Sequence, residues 1–295
     1  MSHKYLTLFF PFLLTACADT DGLSGSSWNA DSTGYVALNI CLPATGGAGM
    51  RASSDGTLTD GEKKEYAVND ATLILFAGNN EEEALFEGAY IVPARFTTDG
   101  GTSQVTVSSR VTRKIRQVEN GNVYAYVILN GIGAGVVDTE DGAATDDIQH
   151  TALTVKTKDG TVTLSRQAPV TFRKFLQYVT DATDTRHGFL MTNAPLYDKG
   201  TNIVQTLSRI APERIKLTPE EAEGEAATEV YVERVMAKVS LVDGRVAAKC
   251  QYSVTNDAGT KTTYNVELKN WVLDNTNRSA YLTRHATTAD FKTWA

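Results

Sequence analysis

The feature that most restricts the fold of this chain is a series of short β-branched and aromatic runs, each bounded by Gly, Asn or Asp residues. Asn122–Leu129 (Asn-Val-Tyr-Ala-Tyr-Val-Ile-Leu) is the strongest run and is typical of a central, buried strand. The other runs lie on both sides of it, at 72–76, 86–92, 103–107, 189–191, 229–242, 264–273 and 280–283. Short strands separated by turn residues predict a mainly β chain, an antiparallel β-sandwich with minor helix.

Three segments depart from this β pattern. Residues 139–157 are predicted to be loop and short helix. Residues 169–179 are predicted to be helical, because a proline lies in the first turn and apolar residues follow at helical spacing: Phe172, Phe175, Leu176 and Val179. The acidic segment 219–225 is predicted to be a turn, and it is the candidate boundary between a domain at 52–225 and a second β domain at 226–295.

The first seventeen residues have the pattern of a bacterial lipoprotein signal. Lys4 precedes an apolar stretch, and Leu14-Thr15-Ala16-Cys17 follows it. The apolar stretch is shorter than the about 20 residues that cross a bilayer. Leucine, two small residues and cysteine form a lipobox, so Cys17 is the predicted lipidation site and 1–17 the signal. An ordinary signal peptide that contains a cysteine is the alternative.

A single-faced strand follows this signal. Large aliphatic residues occupy alternate positions of 35–42, which places them on one face of a strand: Val36, Leu38, Ile40 and Leu42. The polar stretch 19–32 before the strand predicts a flexible tether. Residues 44–62 after the strand, which we call the linker, are mostly small and polar, with Arg51 as the single basic residue. Arg51–Ala52 is therefore the predicted proteolytic cleavage site, since proteases prefer such segments.

Two interpretations of this strand remain open. It is either simply the first strand of the sandwich or a removable strand within an 18–51 propeptide. Removing it would leave unpaired backbone groups and empty side-chain pockets, which a strand from another chain could fill. Burying the four aliphatic side chains is worth roughly 6–12 kcal/mol as an upper bound, at about 1.5–3 kcal/mol each.

Several classes of function are disfavoured by the sequence. The net charge of -7 and the pI near 5.2 argue against a nucleic-acid partner. The glycine-rich run at 131–135 misses the dinucleotide-binding spacing, and the acidic residues at 138–147 miss the EF-hand register. We expect no metal, no cofactor and no enzymatic activity, since neither a nucleophile elbow nor metal-ligand spacing is found. A bridge between Cys41 and Cys250 is not expected, because it would block release of the strand.

An ordered set of motifs resembles the Bacteroidales type V fimbrillins, closest to the major (shaft) subunits of the minor, or short, fimbriae. The motifs span most of the chain: Leu14–Cys17, Gly34–Pro43, Arg51–Ala52, Val123–Gly131, Val232–Val239, Trp271–Leu273 and Tyr281–Arg284. The resemblance implies a transthyretin-like N-terminal sandwich and a second β domain. Family members run considerably longer, so we expect 226–295 to be only the start of that domain. The chain would then be a fragment, or a truncated subunit that accepts a strand without donating one.

The resemblance also implies a route of maturation. A lipidated precursor is carried to the outer membrane, where an arginine-specific protease cuts after Arg51 and removes the leader with its first strand. The mature subunit, from Ala52, joins a cell-surface fimbrium by accepting a strand from the next subunit. Its partners are other copies of itself and accessory fimbrial subunits, and the fimbrium supports adhesion. A fimbrial anchor or tip protein and a surface glycan-binding lipoprotein are the alternatives.

Overall fold

Strands dominate the fold. The structure is a computed structural model, and it describes residues 28–42, 67–92, 97–98, 107–117, 121–138, 149–181, 183–236, 250–266, 272 and 277–292. Most of the described secondary structure is strand, with antiparallel pairing in all but one pair of described strands, and helices are few and short. The prediction of a mainly β, antiparallel sandwich with minor helix is therefore confirmed.

The first nine strands are β1 (Thr33–Cys41), β2 (Ala71–Gly78), β3 (Leu85–Val92), β4 (Thr97–Thr98), β5 (Val107–Arg116), β6 (Asn122–Leu129), β7 (Val137–Asp138), β8 (Ala152–Thr157) and β9 (Gly160–Ser165). The later ones are β10 (Val179–Asp181), β11 (Met191–Asn193), β12 (Leu196–Asp198), β13 (Ile203–Gln205), β14 (Ser208–Ile210), β15 (Thr228–Arg234), β16 (Cys250–Thr255), β17 (Lys261–Val266) and β18 (Ser279–Tyr281). The helices are α1 (Phe172–Phe175), α2 (Pro219–Gly224) and α3 (Thr288–Lys292), and a 3-10 turn spans Pro212–Arg214.

Nine strands form one sheet in the order β3-β2-β6-β11-β15-β1-β5-β4, and β14 also pairs with β6. The two ends of this order curl toward each other. The Tyr90 hydroxyl of β3 donates to the Lys114 carbonyl of β5, and Arg116 of β5 contacts Glu87 of β3 at 2.7 Å. The halves of the sheet therefore face each other and enclose apolar side chains, as in a sandwich.

We call the enclosed cluster the inner core. It combines side chains from both halves of the sheet: Val36, Leu38, Ile40, Leu42, Ala71, Leu73, Leu75, Tyr90, Val92, Val111, Ile115, Val123, Ala125, Val127, Leu129, Met191, Ile210, Ile215, Val230 and Val232. The alternation in β2 and β6 sends every second side chain to this core.

The remaining side chains of β2 and β6 form a second cluster on the other face, which we call the outer core. Strands β8 and β9 and helix α1 cover it. Its members are Ile74, Phe76, Ala84, Phe86, Ala89, Tyr124, Tyr126, Ile128, Val136, Val137, Leu153, Val155, Leu164, Phe172, Phe175, Tyr178, Leu190, Leu207 and Leu282. Strands buried on both faces carry continuous apolar runs, which explains the strength of the signal at Asn122–Leu129.

Three sequence predictions need correction. Within the predicted loop and helix of 139–157, β8 pairs antiparallel with β9, because alternating Leu153 and Val155 are buried in the outer core. The helix predicted at 169–179 spans only Phe172–Phe175, and Thr171 caps it by accepting from the Lys174 N–H at 3.2 Å. The turn predicted at 219–225 is helix α2.

Strands on both sides of the predicted boundary at residue 225 belong to one sheet. Strand β15 pairs with β1 and with β11, and Leu282 is fully buried in the outer core. Strands β15 and β18 therefore pair with strands before the predicted boundary between 52–225 and 226–295, whereas β16 and β17 pair with each other. Of the strand predicted at 103–107, only Val107 lies among the described residues, where it begins β5.

The β1 groove as candidate functional site

The predicted removable strand lies in the middle of the sheet. All nine residues of β1 pair antiparallel with β5, from Thr33 opposite Arg116 to Cys41 opposite Ser108. The second half of β1 pairs parallel with β15, from Leu38 opposite Thr228 to Cys41 opposite Tyr231. Both edges of β1 are thus hydrogen-bonded, so β5 and β15 form the two walls of a groove that β1 fills.

The four predicted aliphatic residues all point into the inner core. Val36, Leu38 and Ile40 are 0% exposed and Leu42 is 3% exposed. The inward face of the groove is therefore apolar throughout, as the alternation of the sequence predicts. Cys17, Arg51 and Ala52, the predicted lipidation and cleavage residues, lie outside the described residues.

The outward face of β1 is covered at its first half by a segment that the sequence did not indicate. We call residues 214–227, which include α2, the strap. At the edge of β1 that faces away from β5, Tyr35 and Lys216 exchange backbone hydrogen bonds of 2.8 and 2.9 Å. Helix α2 packs against β1 and β5, and Ala37 and Ala222 are both buried, at 3% and 1% exposure.

The strap is closed by its own polar contacts. Thr218 and Glu221 form a capping box at the start of α2, which satisfies backbone N–H groups that a helix leaves free. Lys216 and Glu225 form an ion pair of 3.2 Å across the segment. Arg214 donates to the carbonyls of Ala226 and Ala227, the latter at 2.9 Å, and so joins the two ends of the strap.

A polar contact replaces the strap at the second half of the outward face. Asn39 lies opposite Glu229 of β15, and its Nδ2 is 3.2 Å from both carboxylate oxygens. The Cys41 thiol donates to the same carboxylate at 2.9 Å. Burial and the Glu229 carboxylate raise the pKa of Cys41 to about 12, so the thiol keeps the proton that it donates. Cys41 forms no disulfide.

The start of β2, which follows the linker, is held without help from β1. The buried Asn130 side chain accepts from the Asn69 N–H at 2.7 Å and donates to the carbonyls of Ala67 and Phe189, each at 2.9 Å. Gly188 packs against this amide with φ +98, and a Cβ there would lie 2.5 Å from Asn130 Nδ2.

A second contact fastens the same end of β2. The Asp70 carboxylate accepts from the N–H groups of Ile132 and Gly133, each at 2.9 Å. The glycine-rich turn after β6 therefore holds a carboxylate of this chain through its backbone amides. The spacing of its glycines disfavours a nucleotide loop, and the turn instead fixes the start of β2 through Asp70.

No protein-family model matches the chain, and none of the curated proteins or solved structures is significantly similar to it. Within the described ranges, no helix is long and apolar enough to cross a membrane. In the same part of the chain, no three His, Cys, Asp or Glu side chains are grouped closely enough to hold a metal ion. The geometry of the groove is suited to holding one extended strand.

Proposed function

We propose that this protein is a structural subunit of a cell-surface fimbrium that polymerises by donor-strand exchange and supports adhesion. In this proposal the chain is exported as a lipoprotein with acyl chains on Cys17 and is cut after Arg51. The leader then departs with β1, and a strand from another subunit fills the groove between β5 and β15. Other copies of the chain and accessory fimbrial subunits are its partners.

One observation supports this proposal most strongly: the first described strand, β1, lies between β15 and β5 in the sheet, and the segment that contains Arg51 follows it before β2. A cut in that segment would leave β1 held by non-covalent contacts alone. Its loss would expose two strand edges and four apolar pockets, and such unpaired edges bind another strand readily.

The contacts of the rest of the chain favour survival of the fold after the cut. Asn130 and Asp70 fix the start of β2 to the turn after β6, and none of these residues belongs to β1. The outer core contains no residue from β1. The outer core would therefore stay assembled, while the inner core would lack the strand that completes it.

The affinity available to an incoming strand is large. Burying four aliphatic side chains gives roughly 6–12 kcal/mol as an upper bound, and ladder hydrogen bonds add to it. Strand β1 pairs with β5 over nine residues and with β15 over four. A replacement strand that reproduces these contacts would hold two subunits together in a fibre.

The test is the N-terminal sequence and intact mass of the protein isolated from its own cell surface. We expect the mature chain to begin at Ala52 and to carry no lipid. In an Arg51→Ala variant the chain should keep acylated Cys17 and fail to polymerise. Lys63→Ala, which changes a basic residue directly after the linker, is the matched control and should mature normally.

The opposite result would be an unaltered protein that retains Cys17 with its acyl chains and an uncut Arg51. It would then be a resident lipoprotein of the surface, and an anchor or a glycan-binding protein would replace the shaft subunit as the interpretation.

A further inference from the structure

The two faces of β1 meet different surroundings, and the difference bears on which strand can replace it. The inward face meets an apolar core that any strand with alternating aliphatic residues would satisfy. The outward face carries Tyr35, Ala37, Asn39 and Cys41, and it meets two specific features: the strap and the Glu229 carboxylate.

We infer that the outward face, and not the four aliphatic residues, selects the partner strand, which needs a small residue in the position of Ala37 and non-acidic hydrogen-bond donors in the positions of Asn39 and Cys41. This inference rests on the proposed function. The partner is an extended strand of this pattern that runs parallel to β15 and antiparallel to β5.

The requirement for a small residue follows from the strap. Ala37 is 3% exposed beneath α2, whose Ala222 is 1% exposed. A longer side chain at this position would overfill the contact and force the strap away from the sheet. The strap resists this movement, because Lys216 is bonded to the strand backbone and Arg214 holds the two ends of the strap together.

The requirement for non-acidic donors follows from Glu229. Its carboxylate accepts from Asn39 and from Cys41, which lie two residues apart on one face. An acidic residue in the position of Asn39 would place a like charge directly opposite Glu229, and one in the position of Cys41 would lie close to the same carboxylate. Like charges at such short range destabilise strand pairing. Because this repulsion is electrostatic, it weakens at higher salt concentration, whereas a steric conflict does not.

The experiment uses the full chain, unlipidated through Cys17→Ala and cut after Arg51, with the leader still bound. Synthetic peptides of residues 33–42 compete with the leader, and the concentration that displaces half of it is measured. The peptides are the unaltered strand, Ala37→Leu, Asn39→Asp, and Thr33→Ala as control. Thr33 bonds Asp31 of its own segment, which the peptide lacks.

We expect the unaltered and Thr33→Ala peptides to displace the leader equally well. Ala37→Leu should need about 10-fold more peptide at any salt concentration, since an extra side chain in a filled contact is destabilising. Asn39→Asp should lose a similar factor at low salt and recover at high salt. A Glu229→Gln variant of the protein should restore binding of Asn39→Asp and leave the loss with Ala37→Leu unchanged.

The outcomes separate this inference from the proposed function. If the unaltered peptide does not displace the leader, donor-strand exchange itself fails, and the inference fails with it. If all four peptides displace the leader equally, the groove accepts strands but does not select them by the outward face, and the inference alone is overturned. A loss with Asn39→Asp that persists at high salt or in Glu229→Gln also overturns the role of Glu229.

Discussion

The inner and outer cores lie on opposite faces of β2 and β6, and they differ in chemistry and in assembly. Aromatic side chains fill much of the outer core: Phe76, Phe86, Tyr124, Tyr126, Phe172, Phe175 and Tyr178. The inner core has a single fully enclosed aromatic residue, Tyr90, and is otherwise built from aliphatic side chains and alanine. Aromatic rings pack edge to face in preferred geometries, whereas aliphatic side chains interdigitate without such directional preference.

The assembly of the two cores differs more than their composition. The inner core takes four residues from β1, and the outer core takes none. Every described member of the outer core lies after the linker, from Ile74 to Leu282. A chain that loses β1 keeps the outer core whole and opens only the inner one. The adaptable aliphatic core is therefore the one that would exchange a strand, and the aromatic core would keep the subunit folded.

The largest effect that tests this comparison is expected from Phe175→Ala in the outer core. The Phe175 ring is fully buried and lies 5.1 Å from the Tyr126 ring and 5.4 Å from the Tyr178 ring. Removing it should lower the free energy of unfolding by about 3–5 kcal/mol. Denaturant unfolding should give this loss both in the precursor and in the mature subunit, because the outer core is the same in each.

The control for this substitution is Tyr252→Ala. Tyr252 is 63% exposed on β16, and surface substitutions of this kind change stability by about 0.5 kcal/mol or less. If Phe175→Ala lowered the free energy of unfolding of the precursor only, the outer core would depend on β1 as well. That result would contradict the independence of the two cores.

A smaller and conditional effect is expected from Leu38→Ala in β1. Leu38 is 0% exposed in the inner core, so the substitution should lower the free energy of unfolding of the precursor by about 2–5 kcal/mol. Under the proposed function the mature subunit no longer contains β1, so fimbriae from this variant should be as stable as the unaltered ones. A fimbrium that is weakened to the same degree as the precursor would show that β1 is retained.

The sequence predicted the strands best where a short segment carries a clear apolar pattern, either alternating as in β1 or continuous as in β6. Strand β6 has the predicted bounds, and β1 differs by a few residues at its ends. Strand β5 was largely missed, because Arg110, Arg113 and Lys114 dilute its pattern. Strand β8 was missed although Leu153 and Val155 alternate, since the flanking residues are small and polar.

The sequence predicted only the inward face of β1, and not the contacts on its outward face. The four inward aliphatic residues of β1 follow from their period of two, which is a property of the local sequence. Glu229 contacts Asn39 across 190 residues, and the strap meets Tyr35 from a similar separation. Such contacts depend on which strands become neighbours, and no spacing within a short segment encodes them. The acidic, glycine-containing composition of 219–225 predicts a turn, whereas Thr218 and Glu221 form a capping box that begins helix α2 of the strap.

The smallest effect concerns Glu81, whose carboxylate accepts from the N–H groups of Thr206 and Leu207 at 2.8 and 3.0 Å beside the outer core. Burial raises the pKa of Glu81, so the folded state binds its proton more tightly than the unfolded state does. The stability that Glu81 contributes is therefore fully present at low pH and is lost as the pH rises through the folded pKa. Compared with Glu81→Gln, the unaltered protein should gain stability as the pH falls toward 4.5 in denaturant unfolding measured over a series of pH values. Because Leu207 belongs to the outer core, the same pH dependence should appear in the mature subunit, and its restriction to the precursor would contradict the independence of the two cores.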